Sequence, residues 1–306
     1  MLPIKLERLQ RLEQDGRGRW RLTPDGRWLP SSTTILSGAM AQGWAKNWAA
    51  KVERELVCST AGTLFQQVNG QRLRPESFSK TLELRVGKPY AYERVSRAAL
   101  NIGTEAHKMI EWTVRRELGD SFTPQPAISN PARMAFTAWE NWKQGSGLVS
   151  LAAESDVYHG DVGYTGGLDY MAGRGESVIV TDWKTGKIID GQAHLQLASY
   201  VVAARWLGIP VVAGYIIQLP KVESDPNFKV IELGHMAGGR IYTIEELFEV
   251  FCHVKQVWDW IHHTDRPALT GRTAKKHATA AGNGAEESAN EPGDKAVLPA
   301  ASMGKA

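Results

Sequence analysis

The central third of the chain constrains the fold more than any other part. Its apolar and β-branched residues alternate with a period of two over Leu151 to Tyr158, Tyr164 to Ala172 and Ser177 to Trp183, which predicts three strands. An amphipathic helical pattern from Gln192 to Leu207 and a fourth strand from Val211 to Leu219 follow. Three strands, a helix and a further strand predict an α/β fold with a central mixed sheet flanked by helices.

Helical patterns dominate the first half of the chain. They run from about Trp44 to Cys58, from Tyr90 to Leu118 and from Pro131 to Gln144. A short strand pair is expected near Arg19 to Leu29, ahead of these helices. A last helix is predicted from Thr243 to His263, where a threonine and a glutamate three residues later form a capping-box pattern.

Composition divides the chain further. Residues 1–100 hold 17 Lys/Arg against 9 Asp/Glu, so this mostly helical part is basic, although the net charge of the whole chain is +3. Basic surface attracts polyanions. Residues 101–268 hold the predicted sheet. Residues 273–306 contain few large apolar residues and are expected to be a disordered tail, because they bury too little to offset their ordering entropy.

Several functional classes can be excluded. Two cysteines, Cys58 and Cys252, are too few for a disulfide framework, a four-cysteine zinc site or an iron–sulfur cluster, so a reducing compartment is expected. The first ten residues mix charges among apolar residues and lack the uninterrupted apolar core of a secretory signal. No uncharged run reaches the length of a membrane span, so no membrane partner is expected. The chain also lacks the glycine-rich loops of nucleotide-driven motors and dinucleotide-binding domains.

The connection between the second and third predicted strands, Gly173-Arg-Gly-Glu-Ser, is of the hairpin type. Its turn would pair residue 169 with about residue 181. The sequence therefore predicts that Asp169 lies close to Asp182.

The third predicted strand ends in Asp182-Trp183-Lys184. Because side chains alternate between the faces of a strand, Asp182 and Lys184 share one face while Trp183 packs on the other. Two carboxylates and an ammonium group are thus expected to converge. A salt-bridged strand end without a catalytic role is the alternative interpretation of this motif.

Neighbouring carboxylates repel each other unless a cation lies between them. Oxygen donors in an open, partly hydrated site suit Mg²⁺ or Mn²⁺. Such an ion can polarise a phosphoryl oxygen and supply a hydroxide nucleophile at neutral pH. Lys184 would then orient the attacking water or stabilise the charge that develops around phosphorus.

Five separated motifs lie between residues 28 and 205: Pro30-Ser-Ser-Thr-Thr-Ile-Leu, Gly103-Thr-Glu-Ala-His, Gly167-Leu-Asp, Thr181-Asp-Trp-Lys-Thr and Gln196-x-x-x-Tyr200. In content and order they resemble the PD-(D/E)xK nuclease superfamily, in particular its RecB-like exonuclease branch with the mitochondrial genome maintenance exonucleases and related phage exonucleases. The D-W-K-T run with the downstream Q-x-x-x-Y is the most specific part. The resemblance implies a restriction-endonuclease-like catalytic core over residues 101–268 and metal-dependent cleavage of DNA.

The resemblance also implies roles for individual residues. By position in the motifs, Asp169 and Asp182 become metal ligands, Lys184 becomes the catalytic lysine, and His107 becomes a further ligand that tilts the preference toward Mn²⁺. Gln196 and Tyr200 would face the active site and hold DNA or the water network. On spacing alone, a buried tyrosine hydrogen-bonded to a glutamine explains this last pair equally well.

Two further carboxylates have open roles. Glu154, on the first of the three predicted strands, would be an additional metal ligand or would contact the ligands without binding the metal itself. Glu111 follows His107 by four residues and would orient its imidazole ring.

Basic and aromatic residues interleave near the amino terminus, at Arg17, Arg19, Trp20, Arg21, Trp28, Trp44, Lys46, Trp48 and Lys51. This pattern is typical of surfaces that stack bases and contact phosphates of single-stranded nucleic acid. The helical spacing of Trp44 and Trp48 is equally typical of a packed core.

The expected function is that of a metal-dependent DNA exonuclease acting near single-stranded ends, in recombination, replication or repair. The expected partner is DNA that is single-stranded or has free ends, in the cytoplasm of a bacterial or phage-infected cell. Two alternatives stay open: a structure-specific or restriction-like endonuclease of the same superfamily, and a nucleic-acid-binding module that does not cut. The presence of Asp169, Asp182 and Lys184 together argues against the binding module.

Overall fold

The computed structural model describes residues 4, 6, 8–12, 19–40, 43–68, 74–87, 89–186, 189–220 and 227–265. Residues 1–260 form one compact unit, and residues 261–306 form a second, of which residues 261–265 are described. The tail expected at residues 273–306 lies outside the described part. No described helix combines the length and the apolar character that crossing a bilayer requires.

A small antiparallel sheet opens the described chain. Its strands pair in the order β1 (Gln10–Arg11), β2 (Trp20–Leu22) and β3 (Trp28–Pro30). The strand pair predicted near Arg19 to Leu29 is therefore confirmed, and Gly26 occupies its turn with a φ of 82°. The two-residue strand β1 is too short to leave a periodic signal in the sequence.

The helices that follow in the described residues are α1 (Ser32–Ala39), α2 (Gly43–Val68), α3 (Pro75–Val86), α4 (Ala91–Glu117) and α5 (Asn130–Ser146). The sequence predicts α2, α4 and α5, although α2 continues well beyond the predicted end at Cys58. Helix α3, which the sequence patterns above do not include, has no fully buried side chain; its Phe78, Leu82 and Val86 lie four residues apart and are partly buried.

The central sheet is mixed. Across its described part the strands lie in the order β4 (Val149–His159), β5 (Tyr164–Arg174), β6 (Ser177–Lys184), β7 (Val211–Gln218) and β8 (Lys229–Glu232). Strands β6 and β7 are parallel, and the other neighbouring pairs are antiparallel. Helix α6 (Gly191–Trp206) connects β6 to β7, and α7 (Ile244–Asp265) follows β8. The predicted α/β class, with a mixed sheet and flanking helices, is confirmed.

Apolar cores cover both faces of this sheet. One core joins the sheet to α1, α6 and α7, and the other joins it to α4 and α5. Trp183 belongs to the second core: it is 2% exposed, and its ring lies 5.3 Å from Trp142 and 6.1 Å from Trp139 between centroids. The prediction that Trp183 packs on the face away from Lys184 is confirmed, and this packing holds the end of β6 in place.

The β5–β6 hairpin positions the acidic residues. Tyr170 pairs with Thr181, so the register differs by one residue from the predicted pairing of residue 169 with about residue 181. Gly175 lies in the turn with a φ of 61°, a conformation that favours glycine. The hairpin carries Asp169 to the end of β6 that holds Asp182.

Candidate metal centre

A histidine and two carboxylates from three different elements converge on one point. His107 comes from α4, Glu154 from β4 and Asp169 from β5. Nδ1 of His107 lies 3.7 Å from Oδ2 of Asp169 and 3.9 Å from Oε1 of Glu154. One donor atom from each residue lies within 4.8 Å of the other two, so the three side chains could share one cation.

The backbone at Glu154 is strained. Its φ of 45° lies in the left-handed region, and no other described residue apart from glycine has a positive φ. Residues with a Cβ atom adopt this region at a cost of about 1–2 kcal/mol. Glu154 lies between the strand pairs Ala153–Tyr170 and Ser155–Leu168, opposite Asp169, so the pairing on both sides holds the strained residue beside its fellow carboxylate.

Asp169 is anchored at one oxygen and crowded by negative charge. Its Oδ2 accepts a hydrogen bond of 2.7 Å from the backbone N–H of Trp183. Burial and the neighbouring Asp182 carboxylate raise the pKa of Asp169 to about 7, against the opposing effect of His107. A cation beside Asp169 would therefore favour its ionised form.

Burial and the neighbouring carboxylates have opposite effects on the pKa of His107. Burial alone would lower the pKa of the imidazole, but the Asp169 and Glu154 carboxylates outweigh it and raise the pKa of His107 to about 9. A protonated imidazole and a divalent ion would be attracted by the same two carboxylates. Neutral imidazole is a donor for transition-metal ions, and carboxylates suit Mg²⁺ and Mn²⁺. The donor set thus fits a divalent metal.

Asp182 forms an ion pair with Lys184. The residue is 2% exposed, and its Oδ2 lies 2.5 Å from Nζ of Lys184. No further hydrogen bond from the described residues reaches this oxygen. The resemblance implies His107, Asp169 and Asp182 as the ligands, with Glu154 open as an additional one. The structure groups His107 and Asp169 with Glu154, and it places Asp182 beside both Lys184 and Asp169.

Lys184 is held by a chain of side-chain hydrogen bonds. Its Nζ donates to Oε1 of Gln196 at 2.9 Å, and Nε2 of Gln196 donates to the hydroxyl of Tyr200 at 2.6 Å and to Oγ1 of Thr33 at 3.0 Å. The sequence predicts Gln196 and Tyr200 as site residues, and the structure places both beside Lys184. It adds Thr33, for which the motif containing it gives no individual role.

The charge states of Lys184 and Tyr200 follow from this arrangement. Burial opposes the ammonium, but the Asp182 and Asp169 carboxylates raise the pKa of Lys184 above its ordinary value. Burial, reinforced by Asp182, raises the pKa of Tyr200 to about 12. At neutral pH the site therefore presents a cation at Lys184 and a neutral phenol at Tyr200.

All of these groups line one cleft with a volume of about 1100 Å³. Basic and aromatic side chains also line it, among them Arg11, Arg19, Arg21, Trp48 and Lys108. Arg21 forms a buried ion pair within the fold, because its Nε lies 2.9 Å from Oδ1 of the buried Asp156. Arg19 is exposed in the cleft. Of the predicted nucleic-acid surface, Arg17 and the side chain of Trp44 lie outside the described residues.

The chain was also compared with known proteins. No protein-family model matches it, and no curated protein matches it. The geometry of the site is therefore the basis for a functional proposal.

Glu111 has partners other than the expected one. Its Oε1 accepts from Arg8 at 2.7 Å and lies 2.8 Å from a guanidinium nitrogen of Arg115. Burial and the nearby Glu154 raise the pKa of Glu111. The contact expected between Glu111 and the His107 ring is not among the described contacts of Glu111; Nδ1 of the ring lies near Asp169 and Glu154.

Proposed function

We propose that this chain is a divalent-metal-dependent nuclease that hydrolyses phosphodiester bonds in DNA. One observation carries the proposal: the His107, Glu154 and Asp169 donor group opens onto the same cleft as the Lys184 ammonium. These three residues would hold the ion. When bound there, Mg²⁺ or Mn²⁺ would polarise a phosphoryl oxygen and lower the pKa of a coordinated water.

We propose a PD-(D/E)xK core for the central sheet. The order of β4, β5, β6, α6 and β7, with a carboxylate on β5 and the D-x-K motif at the end of β6, supports this assignment. The Q-x-x-x-Y pair on α6 supports it further, because Gln196 contacts the lysine of the motif directly.

Lys184 is proposed to act as a fixed cation. An ammonium group has three N–H donors, and Asp182 and Gln196 provide two acceptors. The side chain is 28% exposed, so the third donor can reach a phosphate oxygen or a water molecule in the cleft. Because the raised pKa keeps Lys184 charged, it would stabilise the developing negative charge and would not take a proton from the nucleophile.

DNA that is single-stranded or has free ends is the proposed substrate. Exposed Arg19 and Lys108 can contact phosphates, and Trp48 offers an aromatic side chain for base stacking on the same cleft. The resemblance to RecB-like exonucleases supports digestion from an end in particular.

Two alternative functions can be distinguished from the proposed one by experiment. A structure-specific or restriction-like endonuclease would use the same ligands and lysine, because these groups do not distinguish the end of a strand from its interior. A binding module that does not cut is less consistent with Asp169, Asp182 and Lys184 lining one cleft together, because contacts to DNA alone require no carboxylates beside the ammonium.

The test is digestion of end-labelled linear and circular DNA, single- and double-stranded, with Mg²⁺, Mn²⁺ or EDTA. We expect metal-dependent loss of linear single strands while circles remain intact, and no digestion by the Asp169→Asn variant. Cleavage of circles would favour the endonuclease. DNA binding without cleavage in any condition would favour the binding module and overturn the proposal.

A further inference from the structure

The hydroxyl-rich run at the start of α1 fixes this helix against the rest of the site. Ser31 caps the helix, because its Oγ accepts from the Thr34 N–H at 3.2 Å. Ser32 is buried: its Oγ donates to the carbonyl of Thr165 at 3.2 Å and accepts from Oγ of Ser199 at 2.8 Å. The first turn of α1 is thus tied to both β5 and α6.

Thr33 is the member of this run that lines the cleft. Its Oγ1 accepts from Nε2 of Gln196 at 3.0 Å and also contacts the hydroxyl of Tyr200. A primary amide has two N–H donors and one oxygen acceptor. In Gln196 both donors are occupied, by Thr33 and Tyr200, so the oxygen is left pointing at Lys184.

We propose that Thr33 is a positioning residue for Lys184 that acts through the amide of Gln196. The inference deepens the proposed nuclease function and rests on it. The two N–H contacts of Gln196 fix the rotation of its amide, and its oxygen then fixes the ammonium at 2.9 Å while Asp182 holds it at 2.5 Å from the other side. With both acceptors in place, the third N–H of Lys184 keeps a single direction.

The loss of the Thr33 hydroxyl removes one of the two restraints on the amide. The remaining contact with Tyr200 would restrain the rotation of the amide about its last side-chain bond less tightly, and the distance from its oxygen to Lys184 would vary more. A misdirected ammonium affects the transition state more than the binding of DNA, because DNA is held mainly by contacts to its phosphates. The effect should therefore appear in kcat and not in KM.

Thr33→Val removes the hydroxyl at nearly constant shape, and Thr33→Ser keeps it. We expect Thr33→Val to lower kcat about tenfold with an unchanged KM, which corresponds to one hydrogen bond, and Thr33→Ser to restore the wild-type rate. Ser37→Ala is the matched control, since Ser37 lies on the same helix and its hydroxyl bonds back to the carbonyl of Thr34. In a Gln196→Leu background, Thr33→Val should cause no further loss.

A spectroscopic measurement separates positioning from general damage to the fold. The ammonium ¹H–¹⁵N signal of Lys184, identified by its absence in Lys184→Arg, should shift or broaden in Thr33→Val and remain unchanged in Thr33→Ser and Ser37→Ala. If Thr33→Val does not fold, Thr33→Ala replaces it in both measurements.

The outcomes are distinguishable. An unchanged Lys184 signal in Thr33→Val overturns the inference, whether or not the rate falls. A perturbed signal with a wild-type kcat overturns it as well, provided that Lys184→Ala is inactive. Full activity of Lys184→Ala would instead overturn the proposed function, while the signal would still report whether Thr33 fixes the ammonium.

Discussion

Nζ of Lys184 lies 2.5 Å from Oδ2 of Asp182, a residue two positions earlier on the same strand. The two side chains share one face of β6 because the intervening Trp183 occupies the opposite core. Asp182 is buried, whereas Lys184 keeps part of its surface in the cleft. This one contact compensates a buried carboxylate and leaves part of the ammonium group exposed in the cleft.

The first prediction concerns Lys184→Ala. We expect the rate of DNA digestion to fall by about 10²–10³-fold, the loss typical when a preorganised donor to a developing charge is removed. The free energy of unfolding should fall by only about 1–3 kcal/mol, because the pair is partly exposed to water on the lysine side. Initial rates and urea unfolding measure the two effects.

Lys80→Ala is the control for this change, since Lys80 is exposed on α3. It should alter neither rate nor stability. DNA affinity measured in EDTA should stay within a few fold of wild type in both variants. Wild-type rates in Lys184→Ala and in Asp182→Ala together would exclude this lysine site as the catalytic one.

The second prediction concerns the strained backbone at Glu154. Glu154→Ala removes the carboxylate and keeps the unfavourable positive φ, whereas Glu154→Gly removes both. The glycine variant should be more stable than the alanine variant by about 1 kcal/mol. Both should bind Mn²⁺ more weakly than the wild type. Thermal unfolding in EDTA and calorimetric titration with Mn²⁺ test this pair, and a more stable alanine variant would show that the backbone there is unstrained.

The third prediction concerns the pH dependence of metal binding. The pKa values of His107 and Asp169 are raised to about 9 and about 7, so protons occupy these groups near neutral pH and must leave when a metal binds. Affinity for Mn²⁺ should therefore rise with pH. Between pH 7 and 8.5 the rise should be about tenfold per pH unit, which corresponds to one released proton. Below pH 7 the dependence should be steeper because Asp169 also holds its proton.

Calorimetry in buffers of different ionisation heat counts the released protons directly. His107→Gln is the matched variant: its Mn²⁺ affinity should be lower, and at pH 8.5 it should depend less on pH than that of the wild type. Part of the dependence near pH 7 should remain, because His107 no longer lowers the pKa of Asp169. A slope in His107→Gln equal to that of the wild type would assign the proton to another group.

The sequence predicts those parts of the fold whose apolar residues repeat. The strands around Asp169 and Lys184 alternate between two buried faces, and α6 is an apolar, largely buried helix, so their bounds were predictable within about two residues. The amphipathic pattern predicted for α6 is wrong, because its buried residues surround the helix. Strand β8 is short and mostly exposed, so it carries no periodic signal. Helix α3 has no fully buried residue, and the partly buried Phe78, Leu82 and Val86 give it only a short apolar pattern.

The composition of the site was less predictable than the fold. Asp169, Asp182 and Lys184 follow from the hairpin and from the alternation along β6. The sequence leaves Glu154 open between an additional ligand and a supporting residue. The strand pairing places it opposite Asp169 and close to His107, and no local preference of glutamate indicates its positive φ. The contact between Thr33 and Gln196 joins residues 163 positions apart, which only the folded chain reveals.

The last prediction separates two arginines that the sequence groups together as candidate nucleic-acid contacts. Arg21 is 5% exposed, its Nε lies 2.9 Å from Oδ1 of Asp156, and its guanidinium donates to the hydroxyl of Thr165 at 3.2 Å. Burial lowers the pKa of Arg21, and Asp156 opposes that effect. Arg19, two residues earlier, has its side chain exposed in the cleft.

Arg21→Met should lower the free energy of unfolding by about 3 kcal/mol, because it leaves the buried Asp156 without its closest cation. Arg19→Met should change the free energy of unfolding by less than about 0.5 kcal/mol. It should lower the slope of log Kd against log salt concentration by about 1, the value expected for the loss of one phosphate contact. Urea unfolding and DNA titrations at several salt concentrations measure both variants. If Arg21→Met instead keeps its full stability and loses DNA affinity, Arg21 belongs to the DNA-binding surface. Removal of a residue that the fold requires would lower the free energy of unfolding.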